Sequence, residues 1–243
     1  MNKNIKTKIN LFSQIKEDFL LPKKNDPALE SNFELFFNYP GVWAIVVYRI
    51  TSRLYKKNWK ILARIIGGIT QIISNIDIHP ASTIGRRVFI DHGFGVVIGA
   101  TSIIEDDILI YQGVTLGGVS ISKGKRHPTI KSNSVIGSGA KILGNITIGY
   151  NCKIGANSVV VSNVDDNCTA IGVPAKIIKS KESRNKFEHG KLPDINKEIF
   201  TYLLKRVALI EHALKEQDDI DLSKEDNKLE KIYSDFINAM EVK

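Results

Sequence analysis

Residues 130–160 read IKSNSVIGSGAKILGNITIGYNCKIGANSVV. An aliphatic residue returns at every sixth position: Ile130, Ile136, Ile142, Ile148, Ile154 and Val160. Four positions after each comes a small or aliphatic residue, namely Ser134, Ala140, Ile146, Cys152, Ser158 and Val164. A helix would repeat near 3.6 residues and a half-buried strand at 2, so neither explains this spacing. Six residues hold one short strand and one turn, and three such units complete a triangular coil. The aliphatics then stack inward on those of the next coil, while Gly and Asn relax the corners. The pattern predicts a parallel β-helix, a solenoid in which each coil buries its neighbour.

The same count runs upstream through Ile78, Ile84 and Ile90, and again through Ile98, Ile104, Ile110 and Leu116. It is broken twice. The interval from Ile90 to Ile98 is eight, in FIDHGFGVVI (89–98), and the extra residues fall beside Asp91 and His92. The second break is an excursion, GGVSISKGKRHPT (117–129), which ends in Lys125-Arg126-His127-Pro128. Positions outside the repeat are not needed for stacking, so chemistry is expected to concentrate there. The eight-residue interval predicts a strand bulge that turns Asp91 and His92 toward a cleft. A coil takes about eighteen residues, so His92 and His127 lie roughly two coils apart in sequence. Because the excursion does not advance the solenoid, the two histidines meet either within one molecule or across a subunit boundary.

Three regions follow. Residues 1–75 read as an α-helical domain: Asp26-Pro27-Ala28 has the form of a helix start, Pro40-Gly41 punctuates the chain, and Val46, Ile50, Leu54, Ile61, Leu62, Ile65 and Ile66 recur at helical spacing. Residues 76–180 carry the β-helix. Residues 181–243 read as a polar linker and C-terminal helices, with Phe200, Leu203, Val207, Ile210 and Leu214 forming a short seam and Leu229, Ile232, Phe236 and Met240 a last helix. The fold class is therefore α+β.

Bulk properties exclude several classes. Among 243 residues, 43% are hydrophobic and 25% charged, which is ordinary for a globular chain. The most apolar region, 41–78, is interrupted by six basic residues, Arg49 to Arg64, so no membrane-spanning helix is expected. The N-terminus lacks the apolar core of a secretory signal, and two cysteines, Cys152 and Cys168, suit reduced thiols; a cytoplasmic protein is expected. The net charge of +8 is spread along the chain with few aromatics between the basic residues, which argues for a solvated surface rather than nucleic-acid binding.

The segments DIHPASTIGRRVFIDHGFGVVIGATSIIEDDILIYQGVTLGG (77–118), KGKRHPTI (123–130), IGSGAKILGNITIG (136–149) and IGVPAKII (171–178) together resemble serine O-acetyltransferase. DHGFGVVIG and the TLGG…KGKRHP pair separate that branch from other hexapeptide acyltransferases, which share the repeat alone. The resemblance implies a left-handed β-helix and acetyl transfer from acetyl-CoA to the L-serine hydroxyl, giving O-acetylserine for cysteine synthesis. It implies His92 as general base and Asp77 as its carboxylate partner. Asp26 and Asp91 would contact the amino and hydroxyl region of the substrate, and Arg126 and His127 its carboxylate. Gly118, Ser138, Gly139 and Lys153 are the implied acetyl-CoA contacts. It further implies feedback inhibition by L-cysteine and a homotrimer with sites between subunits, a hexamer being the form of members with longer N-terminal domains. The chemistry suits these residue types: a serine hydroxyl needs a base of near-neutral pKa, which imidazole provides, and a guanidinium fork matches a carboxylate. Neither cysteine lies in a matching motif, so direct attack without an acyl-enzyme is expected.

Other readings stand beside this one. His79, His92 and His127 make three histidines, the number a zinc site on the same scaffold would use, although spacings of thirteen and thirty-five do not match such a site. The acceptor could be another hydroxy amino acid, and the solenoid could serve only as an assembly scaffold. Asp26 and Asp77 suit capping as well as substrate chemistry. The sequence also departs from the family: Ser138 stands where alanine is common, Val119-Ser120 replaces Thr-Gly, and the end at Met240-Glu-Val-Lys243 lacks the terminal isoleucine through which members bind cysteine synthase, so that complex is not expected.

Overall fold

The structure, a computed structural model, describes residues 10–31, 33–179, 200–208 and 210–211. The hexapeptide segment forms a parallel β-helix of three faces. On the first face β1 (Asp77–Ile78), β4 (Val97–Ile98), β7 (Thr115–Gly117), β10 (Lys141–Leu143) and β13 (Val159–Val160) lie side by side. The second holds β2 (Thr83–Ile84), β5 (Ile103–Ile104), β8 (Thr129–Ile130) and β11 (Thr147–Ile148). The third holds β3 (Phe89–Ile90), β6 (Leu109–Ile110), β9 (Val135–Ile136), β12 (Lys153–Ile154) and β14 (Cys168–Gly172), closed by β15 (Ala175–Lys179), which runs antiparallel to β14. The chain passes from first to second to third face and back.

Register follows the six-residue count: Ile78 pairs with Ile98, Ile90 with Ile110, and Ile110 with Ile136. Every aliphatic of the count, from Ile78 to Val160, is buried in one continuous core. Each such side chain contributes about 1.5–3 kcal/mol on leaving water, so the stack is the main source of stability. Corners turn through left-handed residues, among them Asn133, Asn151, Asn157 and Asn167, which tolerate that conformation at little cost.

The extra residues near His92 do not bulge a strand. β3 pairs in register with β6, and β4 with β7, so the surplus is absorbed wholly in the corner 91–96. Positive φ at His92 (57°), Gly93 (75°) and Gly95 (72°) folds this corner back on itself. Gly93 N–H donates to Asp91 O at 2.7 Å, and Gly95 N–H donates to Asn75 O in the coil below at 2.9 Å. The backbone needs of the longer corner are thus met partly within it and partly by Asn75, and neither strand is distorted.

Four helices precede the coil: α1 (Leu11–Asn25), α2 (Glu34–Phe37), α3 (Pro40–Lys56) and α4 (Lys60–Ser74). Asp26-Pro27-Ala28 does not start a helix; α1 ends there, with Asp26 N–H donating to Pro22 O at 2.8 Å. The Asp26 side chain accepts the Ala28 N–H at 2.8 Å, the hydrogen bond an N-cap would make, but it closes a turn and no helix follows. Pro40, by contrast, opens α3 at its first turn, where a missing N–H costs nothing.

These helices cover the third face. Its outward residues Phe89, Leu109 and Val135 pack against Leu21, Leu35, Tyr39, Val42 and Val46. The cover stops at that coil, and the next outward residue, Lys153, is half-exposed. Arg49 bolts the helices to the coil: it bridges Asp18 at 2.9 Å and donates to the carbonyls of Ile84 and Gly85, both at 2.7 Å.

The chain divides into two compact units between Leu192 and Pro193. In the second, residues 200–208 and 210–211 are helical, with Phe200, Leu203, Val207 and Ile210 exposed. The expected linker at 181–193, Leu214, the last helix and the C-terminal residues lie outside the described residues. Among the described residues no helix is long and apolar enough to cross a membrane.

Candidate active site

The sequence-derived residues gather on two corners of the prism. At the third-to-first corner, Asp91 and His92 stand on the extended turn. Above them lie Tyr111 and Gln112, then Gly137, Ser138 and Gly139, then Gly155 and Ala156, each set in the equivalent turn of a higher coil. Together with Lys153, most of these line a cleft of about 280 Å³ that also contains His92. Ser138 and Lys153 are thus brought together with the histidine; Gly139 lies in the same stack, its φ of 71° and the nearby Asn157 side chain leaving no room for a Cβ.

The helical cover reaches this corner. Asp26 leaves the end of α1 and accepts a hydrogen bond from the Tyr39 hydroxyl at 2.7 Å. Burial and the negative Asp26 push the Tyr39 hydroxyl pKa far upward, so it stays a donor. Asp91 is half-buried, and its carboxyl is held above the ordinary range first by burial and then by the Asp26 charge, against the opposing pull of His92. Burial and the Asp91 charge raise the Tyr111 hydroxyl in the same way. Two carboxylates therefore share one small region beside His92, an arrangement that a bound cation would relieve.

The first-to-second corner holds the other group. His127 is buried, its ring lying over Gly99, where a Cβ would sit 2.0 Å from Cδ2. Thr101 contacts it through both backbone and hydroxyl, and the Lys125 ammonium donates to the His127 carbonyl. The Arg126 side chain donates to Ser122 O at 2.8 Å, bracing the excursion. Gly118 faces Arg126 and His127, so of the four residues assigned to acetyl-CoA it alone sits on this corner. Burial, then Arg126 and Lys125, hold the His127 pKa below its ordinary value.

Asp77 begins β1 directly after the third-to-first corner, with Ile78 pointing inward and its own side chain outward. Its charge reaches His79, whose pKa is lowered by burial and Arg64 and raised by Asp77; His127 and Arg126 act on the same ring. His79 thus belongs with His127, while His92 stands on the next corner. Among the described residues no group of three or more His, Cys, Asp or Glu side chains is placed to hold a metal ion.

Tyr39, Thr101, Tyr111 and Gln112 were not singled out from sequence. Tyr111-Gln112 had a usable signal, since it occupies the turn stacked directly on Asp91-His92. Tyr39 and Thr101 had none, because their partners are set by tertiary packing.

A family model described as bacterial transferase hexapeptide (six repeats) matches residues 127–162. The serine acetyltransferase of Bacillus subtilis is 43% identical over 208 residues, 85% of this chain and 96% of that one. That of Synechococcus elongatus is 40% identical over 205 residues, 84% of each. A solved serine acetyltransferase in complex with cysteine superposes with a TM-score of 0.67 at 43% identity, covering 69% of this chain and 70% of the other. The Neisseria gonorrhoeae enzyme in complex with serine gives 0.66 at 40% identity, covering 69% of each. A serine acetyltransferase in complex with CoA gives 0.65 at 43% identity over 69% of each chain. With identities of this size over most of both chains, the protein belongs to the serine acetyltransferase family.

Proposed function

We propose that the protein transfers the acetyl group of acetyl-CoA to the hydroxyl of L-serine, releasing O-acetylserine and CoA. The observation that carries this reading is the corner at 91–96, where His92 is held outside the β-stack in a cleft with Ser138 and Lys153 and beside the Asp26–Asp91 pair. Relatives at 40–43% identity have been solved with serine, cysteine and CoA.

In this mechanism the His92 imidazole takes the serine hydroxyl proton as the oxygen attacks the thioester carbonyl. The tetrahedral intermediate then expels the CoA thiolate, which receives that proton from His92. Asp77 orients the ring and supports the imidazolium. Asp26 and Asp91 hold the substrate ammonium, and Arg126 and His127 hold its carboxylate. Ser138, Gly139 and Lys153 contact acetyl-CoA, while a backbone N–H near Gly118 meets the oxyanion.

These roles divide between two corners of one prism. In a threefold assembly the third-to-first corner of one copy meets the first-to-second corner of the next, so each site takes one half from each subunit. L-cysteine, which presents the same ammonium and carboxylate, would compete for both halves.

The test is CoA release with L-serine, L-homoserine and L-threonine. Turnover at least about tenfold more efficient with L-serine supports the reading, since the pocket must discriminate one methylene or methyl. Turnover confined to another hydroxy amino acid keeps the chemistry and changes the acceptor, and no turnover with any of the three overturns the assignment.

A further inference from the structure

We propose that Thr101 fixes the tautomer of His127, making that ring a dedicated hydrogen-bond donor to the substrate and leaving proton abstraction to the other histidine of the site, His92. The proposal rests on the reading of the first-to-second corner as the substrate-carboxylate half-site.

Thr101 lies in the corner one coil below the end of the excursion, 26 residues before His127. Its backbone N–H donates to His127 Nδ1 at 3.2 Å. An amide N–H can only donate, so Nδ1 must present its lone pair. The hydroxyl gives the same answer independently. Thr101 Oγ1 accepts the backbone N–H of Arg126 at 3.0 Å and that of His127 at 3.1 Å, which occupies both of its lone pairs. Its own hydrogen is then directed at Nδ1, 2.8 Å away. With two donors converging on Nδ1, the proton of the neutral ring resides on Nε2.

The ring has no freedom to reverse this. It lies against the Gly99 backbone, where even a Cβ would come within 2.1 Å of Nε2, and Nε2 faces Gly118. The imidazolium form is opposed by burial and by Arg126 and Lys125. The ring is thus a neutral Nε2–H donor beside the Arg126 guanidinium, and both suit a carboxylate. A second histidine able to take protons would compete with His92 for the serine hydroxyl; fixing its tautomer prevents this. The same hydroxyl also orders the backbone of Arg126, so one threonine sets both carboxylate contacts.

Histidine-labelled protein without substrate, examined by long-range ¹H–¹⁵N correlation near neutral pH, reports the tautomer directly, with His127→Gln used to assign the signal. The expected result is an unprotonated Nδ1 and a protonated Nε2 for His127. In Thr101→Val the amide of position 101 still donates to Nδ1, so the two nitrogens move only part of the way toward averaged positions, while the Arg126 and His127 amides lose their acceptor. The KM for L-serine rises about tenfold, and the KM for acetyl-CoA stays within about twofold. Thr101→Ser, which keeps the hydroxyl, restores both signals and KM; should the valine variant not fold, the wild-type spectrum and this serine variant decide. A wild-type ring protonated at Nδ1, or a folded Thr101→Val with unchanged KM for L-serine, overturns the proposal. Failure of the wild type to acetylate L-serine instead overturns the functional reading and the substrate role of His127 with it, whereas the spectrum decides the tautomer regardless of turnover.

Discussion

The Tyr39 hydroxyl donates to Asp26 Oδ2 at 2.7 Å, and the Ala28 N–H donates to Oδ1 of the same carboxylate at 2.8 Å. Asp26 is therefore fixed from both sides, although it sits at the end of a helix where a side chain would ordinarily be loose. Tyr39→Phe removes one of these restraints without opening a cavity. The expected result is a KM for L-serine raised about three- to tenfold, with the KM for acetyl-CoA unchanged, as measured by steady-state kinetics. An unchanged KM for L-serine would show that Asp26 needs no orientation.

Arg49 and Asp18 form an ion pair with both side chains almost fully buried, 2% and 1% exposed. The guanidinium also satisfies the Ile84 and Gly85 carbonyls, so it joins α1, α3 and the first coil. Arg49→Met leaves a buried carboxylate without its partner and is expected to cost about 3–5 kcal/mol in urea unfolding. Asp18→Leu added to Arg49→Met should recover part of that loss, because the orphaned charge is then gone. A double variant no more stable than Arg49→Met would count against this account.

His79 and His127 both have folded-state pKa values below 6.5, burial being the largest cause for each. In the folded chain they stay neutral at a pH where the unfolded chain already binds protons. Stability should therefore be full above about pH 6.5 and fall as the pH drops below it, until the folded-state values are reached. Urea midpoints at pH 7.5, 6.5 and 5.5 check the sign. His127→Gln should flatten the fall, and an unchanged slope would show that His127 does not contribute.

The coil was legible because its rule is one-dimensional. Each aliphatic of the six-residue count, from Ile78 to Val160, occupies the interior, and register follows from spacing alone. Asp91 and His92 were legible for the complementary reason, since they interrupt a count that stacking otherwise enforces. What could not be read was how that interruption is absorbed: eight residues between aliphatics fit a strand bulge or a longer corner equally well, and the left-handed turn at His92 and Gly93 decides for the corner. Asp26 was misread as a helix start because an Asp-Pro pair closes a post-helical turn with the same hydrogen bond that it uses as a cap. The roles of Tyr39 and Thr101 depend on which coil or helix lies over which, and no local pattern encodes that.

In the proposed mechanism His92, displaced from the stack, is the base for acetyl transfer to L-serine. The most direct measurement is the rate of CoA release from acetyl-CoA with saturating L-serine, for the wild type and His92→Ala. The expected result is turnover by the wild type and a loss of about 10²–10⁴-fold in kcat for the variant, with its fold and KM for acetyl-CoA retained. A His92→Ala protein that keeps nearly full activity would contradict it.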